Sequence, residues 1–234
     1  MATPHRVVSR DTWLAARREL LEEEKKLTRL RDRLSEERRS LPWVKIEMPY
    51  VFDGPNGKET LLDLFDGRSQ LVVYHLMFAP EWDAACKSCT FWGDSFNDCV
   101  PHLKARDVSF SAISRAPAPK LRAYAERLGF TFHWVSSGAN TFNADFGVYF
   151  SPEELAKGDA TYNYGSFKPK GSDMPGFSVF IREGDDVFHT YSTYGRGIES
   201  VNPTYALLDL VPKGRDEEPG RGMAWLRRHD EYAA

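Results

Sequence analysis

Two cysteines separated by two residues are the part of the chain best suited to chemistry. Cys86 and Cys89 follow an apolar run at residues 71–77 and begin a segment, 89–103, whose apolar residues recur at helical spacing. The run is short and nearly all apolar, which is typical of a buried parallel strand. The pair would then lie where a strand passes into a helix N-terminus. There, free backbone N–H groups and the helix dipole favour a thiolate.

The spacing predicts different roles for the two thiols. A two-residue spacer leaves Cys86 exposed at the helix start and places Cys89 one turn inside. We therefore expect Cys86 to be the nucleophile and Cys89 the resolving thiol. Lys87 between them is expected to favour the thiolate. The competing interpretation is a pair of small, half-buried residues that only pack.

Metal binding is the rival chemistry. A structural zinc site takes four ligands, usually from two such cysteine pairs, and this chain has one pair. Copper(I) remains an open alternative, held by the two thiolates and a histidine. The candidate histidines are His75, His102 and His189. We predict no metal and no bound organic cofactor.

Length and composition indicate ordinary globular material. The chain has 234 residues, of which 41% are hydrophobic and 28% charged, enough to bury a core. A net charge of −3 gives no reason to expect nucleic acid or an anionic membrane as partner. No run approaches the roughly 20 apolar residues of a membrane span, and the first residues lack a signal-type apolar stretch. We expect a cytoplasmic protein.

The N-terminal part predicts a long charged helix over residues 11–40, ended by Pro42. It carries a narrow apolar seam of residues seven apart: Trp13, Leu20, Leu27, Leu34 and Leu41. The seam either packs on its own domain or pairs with a second copy to form a homodimer. We predict a helical arm at 1–42 and one domain at 43–234.

The remaining segments predict alternating strands and helices. Further strands are expected at 108–114 and 132–135, further helices at 119–128, 152–157 and 205–210, and hairpins across 50–62 and 177–191. A β-α-β-α-β order favours parallel strands with helices on the faces. The predicted class is α/β, a central mixed sheet flanked by helices, with an N-terminal helical extension.

This order, with the cysteine pair at the first helix, resembles the thioredoxin superfamily. In that superfamily a cis-proline precedes the terminal hairpin and faces the dithiol, and Pro175 stands at the matching position. More closely, the chain resembles a bacterial domain-of-unknown-function family within the superfamily. The matching motifs are Arg6-Val7-Val8-Ser9-Arg10-Asp11-Thr12-Trp13-Leu14, Leu41-Pro42-Trp43-Val44-Lys45, Asp66-Gly67-Arg68-Ser69-Gln70-Leu71, Tyr74-His75, Cys86-Lys87-Ser88-Cys89, Phe188-His189-Thr190-Tyr191-Ser192-Thr193-Tyr194 and Arg227-Arg228-His229-Asp230-Glu231-Tyr232. The resemblance implies a thioredoxin-like fold and brings no established reaction.

The segment around residues 135–149 also resembles the peroxiredoxin branch. The peroxidatic signature of that branch is Pro-x-x-x-Thr-x-x-Cys, in which the Thr hydroxyl helps orient the peroxide. With Cys86 as nucleophile, Ala79 and Asp83 occupy the Pro and Thr positions. The departure counts against peroxidase activity.

The predicted function is a thioredoxin-like thiol–disulfide oxidoreductase that acts on protein or small-molecule disulfides. One alternative is a peroxiredoxin-like thiol peroxidase. Another is a non-catalytic module for binding or dimerisation. Trp82 and Trp92 are expected to form an apolar substrate surface beside the dithiol, against the alternative of core packing. Arg115 ends the neighbouring strand and is expected to project near the thiols, against the alternative of a solvated arginine.

Overall fold

The computed structural model describes residues 5–232. The chain divides into two compact units, Met1–Pro42 and Trp43–Ala234. The outermost residues of the two predicted domains, 1–4 and 233–234, lie outside the described residues.

The first unit contains one long helix, α1 (Arg10–Arg39). Ser9 caps its N-terminus by accepting a hydrogen bond from the Thr12 N–H at 3.2 Å. Asp11 in the first turn suits the positive end of the helix dipole. The helix predicted over 11–40 is confirmed to within one residue at each end. No residue of α1 is buried, and no helix among residues 5–232 is long and apolar enough to cross a membrane.

The second unit is built on one eight-stranded sheet. Its strands are β1 (Val44–Lys45), β2 (Val51–Gly54), β3 (Gly57–Thr60), β4 (Gln70–His75), β5 (Val108–Ser114), β6 (His133–Ser136), β7 (Gly176–Glu183) and β8 (Asp186–Tyr194). They follow the spatial order β1-β8-β7-β4-β5-β6-β2-β3. Strands β4, β5 and β6 are parallel, while β7 pairs antiparallel with β4 and β8. The predicted mixed sheet and both hairpins are confirmed.

Short helices connect the strands. They are α2 (Lys87–Gly93), α3 (Val100–Lys104), α4 (Ala118–Leu128), α5 (Phe142–Asp145), α6 (Pro152–Lys157) and α7 (Pro203–Leu208). The helices predicted at 119–128, 152–157 and 205–210 correspond to α4, α6 and α7. Gly129 ends α4 in the left-handed region, with φ 64°, where a residue without a side chain fits.

The segment predicted as helical over 89–103 forms two helices. α2 ends at Gly93 and α3 begins at Val100. Pro101 neither kinks nor ends a helix, because it lies in the first turn of α3, where its missing N–H would be unpaired anyway.

Strand β4 is buried on both faces, which accounts for its apolar sequence. Leu71 and Val73 pack into the cluster on one side of the sheet, with Phe142 and Phe180. Tyr74 packs into the larger cluster on the other side, together with Cys89. The dithiol helix therefore lies against the face of β4 that carries Tyr74.

Candidate active site

The dithiol occupies the predicted place between a strand and a helix. Cys86 precedes α2 directly. Its N–H donates to the Met77 carbonyl at 3.0 Å, and its carbonyl accepts from the Thr90 N–H at 2.9 Å. Cys86 is half-buried, Cys89 is 2% exposed, and both are free thiols. The outer and inner positions expected for a nucleophile and a resolving thiol are present.

The two thiols have opposite pKa shifts. The pKa of Cys86 is lowered to about 6, chiefly by a hydrogen bond from the Cys89 thiol and further by the Cys89 and Ser88 N–H groups. Burial raises the pKa of Cys89 well above its usual value, and the hydrogen bond to Cys86 adds to this rise. Lys87, which was expected to favour the thiolate, donates to the Ala224 carbonyl at 3.3 Å. Hydrogen bonds at the helix N-terminus thus carry the shift.

Two hydroxyl groups and an arginine support the loop that carries Cys86. The Thr90 hydroxyl donates to the Cys86 carbonyl at 3.1 Å and lies 2.8 Å from the Tyr124 hydroxyl. Arg228 donates to Tyr124 at 2.6 Å and to the Ala85 carbonyl at 2.8 Å. Sequence reasoning missed this arrangement, because Arg228 lies more than 100 residues from both of its partners, Tyr124 and Ala85.

Two buried tyrosines lie on the inner side of the dithiol. The Tyr74 hydroxyl donates to the Cys89 carbonyl at 3.2 Å and offsets a small part of the rise in the Cys89 pKa. The Tyr162 hydroxyl donates to the Pro175 carbonyl and accepts from the Gly195 N–H. The signal for Tyr74 was a polar hydroxyl in an apolar strand. Tyr162 belongs to an irregular segment and gave no signal.

Pro175 precedes β7, as predicted, and the next residue, Gly176, pairs with His75 of β4. The Met174–Pro175 peptide bond is trans, since no peptide bond in the described part of the chain is cis. The structure thus differs from the superfamily pattern at this position. The Pro175 carbonyl accepts a hydrogen bond from the Tyr162 hydroxyl.

The two tryptophans differ in exposure. Trp82 is half-buried and packs against the same core cluster as Cys86. Trp92 is 2% exposed, and its indole N–H donates to the Ile198 carbonyl at 3.0 Å. The Trp92 side chain is therefore enclosed by the core, which is the packing alternative. Trp82 keeps accessible surface.

Arg115 is held in a buried ion pair. Its guanidinium makes two hydrogen bonds to Asp173, at 2.7 and 2.9 Å, and its centre lies 3.9 Å from the Tyr149 ring centroid. The Arg115 and Asp173 side chains are 16% and 3% exposed. Arg115 is therefore not a solvated arginine. Its guanidinium is directed at Asp173.

The candidate copper ligands do not come together. Among residues 5–232 no three His, Cys, Asp or Glu side chains are grouped to hold a metal ion. His75 and His189 instead hydrogen-bond Ser178 and Ser192, at 2.8 and 2.7 Å. His102 lies exposed on α3. Two thiolates and a histidine therefore form no site in this structure.

Comparison with solved structures places the fold. Bacterioferritin comigratory protein from Xanthomonas campestris, studied for alkyl peroxide reduction, is 16% identical, with a TM-score of 0.50 over 72% of this chain and 96% of that chain. Peroxiredoxin Q from the same organism is also 16% identical, with a TM-score of 0.50 over 75% and 99%. A DsbE-like thiol:disulfide interchange protein from Chlorobium tepidum is 14% identical, with a TM-score of 0.46 over 71% and 95%.

The mixed sheet, the flanking helices and the dithiol at a helix N-terminus define a thioredoxin-like α/β protein, as predicted. Within that class, residues 2–232 match the family described as bacterial protein of unknown function (DUF899), and the chain belongs to this family. No curated protein matches the sequence.

Proposed function

We propose that the protein is a thiol–disulfide oxidoreductase that works through Cys86 and Cys89. One observation carries the proposal: a half-exposed thiol with a pKa of about 6 accepts a hydrogen bond from a buried thiol one helical turn away. With that pKa, about nine-tenths of Cys86 is thiolate at neutral pH. Only the thiolate attacks a disulfide.

The exchange takes two balanced steps. The Cys86 thiolate attacks one sulfur of a substrate disulfide, the substrate S–S bond breaks, and the other substrate sulfur leaves as a thiolate that takes up a proton. Cys89 then loses its proton and attacks the Cys86 sulfur, which forms the Cys86–Cys89 disulfide and releases the second substrate thiolate. The substrate is reduced by two electrons and the protein is oxidised by two. A dithiol reductant is the class of partner that reverses the change.

Trp82 is the apolar side chain proposed to meet the substrate. It is half-buried and packs with Met77 and Cys86 on the same core cluster. A partly exposed aromatic side chain on the cluster that also carries Cys86 favours the apolar residues that flank a disulfide in a protein substrate. Because this chemistry needs a reduced dithiol, a reducing compartment is part of the proposal, and we propose the cytoplasm.

A redox titration of the purified protein tests the function. Samples equilibrated at defined potentials are quenched by alkylation and read by mass. We expect a Cys86–Cys89 disulfide with a potential between roughly −120 and −270 mV, the range of working dithiol enzymes. Cys86→Ser removes the disulfide, whereas Cys99→Ser leaves it unchanged. Absence of the disulfide at every potential contradicts the proposal.

Peroxide reduction is the second candidate, because the same thiolate can attack an O–O bond. That attack yields a Cys86 sulfenic acid and an alcohol, and Cys89 then condenses with the sulfenic acid to give the disulfide and water. Ala79 and Asp83 stand where the peroxiredoxin signature has Pro and Thr. We therefore expect slow peroxide turnover relative to disulfide exchange. If the protein turns over a peroxide faster than a disulfide, peroxide reduction becomes the favoured function.

A further inference from the structure

The closing step of the proposed exchange has a physical difficulty at Cys89. This thiol is 2% exposed, and burial raises its pKa well above the ordinary value. To close the disulfide it must lose its proton without reaching water. A thiolate in such a place needs hydrogen-bond donors inside the protein.

Tyr74 is the side chain that can supply one. It is fully buried on β4, and its hydroxyl donates to the Cys89 carbonyl at 3.2 Å. The same hydroxyl offsets a small part of the rise in the Cys89 pKa. Its ring is fixed by stacking on Phe177 at 4.8 Å and by an edge contact with Phe96 at 5.3 Å. The hydroxyl is thus held against Cys89 by the packing of its ring.

Tyr162 supports the same point from the other side. It is 1% exposed, and the Pro175 carbonyl and the Gly195 N–H fix its hydroxyl. Burial raises the pKa of Tyr162, and charge on Cys89 adds to this rise. Tyr162 comes from the irregular segment between β6 and β7, which gives this loop a specific role at the dithiol.

We propose that Tyr74, assisted by Tyr162, is the positioning residue for the resolving thiol: its O–H, which donates to the Cys89 carbonyl in the resting dithiol, turns to donate to the Cys89 sulfur as that sulfur becomes a thiolate. The inference rests on the proposed function. The proton of Cys89 goes to the departing substrate thiolate, and Tyr74 keeps its own proton. The electron pair of Cys89 forms the bond to Cys86, and the bond between Cys86 and the substrate breaks.

The two steps can be timed separately with the aromatic disulfide dithiobis(nitrobenzoate). Mixed with the full-length reduced protein carrying Cys99→Ser, which removes the third free thiol, it releases one coloured thiolate when Cys86 attacks and a second when Cys89 closes the disulfide. Tyr74→Phe removes the hydroxyl and keeps the ring. We expect an unchanged first phase and a second phase slowed roughly tenfold, which corresponds to one hydrogen bond to a charged group. The pH profile of the second phase moves to higher pH.

Matched variants separate this role from a structural one. Tyr205→Phe removes a hydroxyl from another buried tyrosine of the same core cluster, and that hydroxyl binds Glu217 at 2.8 Å. We expect both phases to keep their wild-type rates. Tyr162→Phe slows the second phase by a smaller factor, and it carries the test if the Tyr74 variant does not fold.

Three outcomes test the positioning role of Tyr74 and the proposed function separately. A slow second phase in Tyr74→Phe, with a normal first phase, supports the inference. Second phases at the wild-type rate in the folded tyrosine variants overturn it and leave the proposed function standing. Release of a single thiolate by the Cys99→Ser protein, as from the same protein with Cys89→Ser added, overturns the proposed function itself.

Discussion

The guanidinium of Arg228 donates a hydrogen bond of 2.8 Å to the main-chain carbonyl of Ala85, one residue before Cys86. The same side chain bonds the Tyr124 hydroxyl at 2.6 Å, which lies 2.8 Å from the Thr90 hydroxyl in the dithiol helix. The C-terminal segment thus fixes the loop that presents the nucleophile, although 143 residues separate the two partners.

Arg228→Met should therefore lower the stability of the protein. The change leaves the Ala85 carbonyl and the Tyr124 hydroxyl without their charged donor, and hydrogen bonds to charged groups contribute about 1.5–3 kcal/mol. We expect a decrease of this order in the free energy of unfolding, measured by urea denaturation. Arg221→Met is the control, because its pair with Glu218 is 70% exposed on both sides and exposed pairs contribute little. Equal effects of the two substitutions would refute the role of Arg228.

Cys89→Ala should raise the pKa of Cys86. The Cys89 thiol is the main donor that lowers this pKa to about 6, and its loss moves the value toward the ordinary 8.5 or so. In the wild-type protein we expect the alkylation rate of Cys86 to rise with pH through about 6 and then level off. In the variant the rise occurs above neutral pH. Mass spectrometry of iodoacetamide-treated samples measures both curves, with Cys99→Ser as control, and a midpoint still near 6 in Cys89→Ala is the contrary result.

His75 should make the stability of the protein fall in acid. Burial, and then the nearby charge of His189, lower its pKa from 6.5 to about 3. Between these values the unfolded chain binds a proton that the folded chain does not. The free energy of unfolding therefore decreases as the pH falls from 6.5 toward 3, and this group contributes no pH dependence above that window. His75→Gln removes this part of the slope in urea titrations across the window. His102→Gln, at an exposed position, should keep it, and parallel slopes for wild type and His75→Gln would exclude the effect.

The Arg115–Asp173 pair should be structural rather than catalytic. Both side chains are largely buried, and removing one member of a buried pair leaves an uncompensated charge at a cost of about 3–5 kcal/mol. We expect Arg115→Met to lower the free energy of unfolding strongly while the rate of Cys86 attack on a disulfide stays unchanged. Asp53→Asn, which breaks the exposed pair with Lys58, should have little effect on stability. A stable Arg115→Met protein with slow attack would instead assign Arg115 to the substrate.

The sequence predicted the parts of the molecule whose signals are local. β4, β5 and β6 are short, apolar and bounded by turn residues, and Gly129 marks the end of α4, so their positions follow from neighbouring residues alone. The dithiol at a helix start is local in the same way. Its orientation, with Cys86 outside and Cys89 inside, needed only the helical repeat.

What could not be predicted depends on tertiary contacts. Trp92 lies on a helix face that could have met solvent or core, and only the packing of Tyr205 against it decides which. Arg228 bonds the Ala85 carbonyl and Tyr162 bonds the Pro175 carbonyl, and both residues come from segments without periodicity. Their hydrogen bonds are fixed by the path of the chain, which a single sequence does not reveal.

The apolar seam of α1 leads to the last prediction, that two copies of the chain pair through this helix. Trp13, Leu20 and Leu27 recur at intervals of seven residues and are 53%, 53% and 48% exposed, a pattern that two parallel helices can bury between them. We expect the full-length protein to run as a dimer in light scattering and Leu20→Glu/Leu27→Glu to run as a monomer. Arg18→Glu/Arg29→Glu is the control, since these residues lie about half a turn away on the opposite face.

A chain restricted to 43–234 tests the proposed domain boundary in the same measurement. If residues 43–234 form a domain of their own, this chain remains folded, as judged by a cooperative urea transition, and scatters as a monomer. It should also keep the dithiol chemistry, because Cys86, Cys89, Tyr74 and Arg228 all lie within it. A full-length protein that is monomeric at every concentration would rule out pairing through α1. A 43–234 chain without a cooperative transition would show instead that the arm is part of the folded domain.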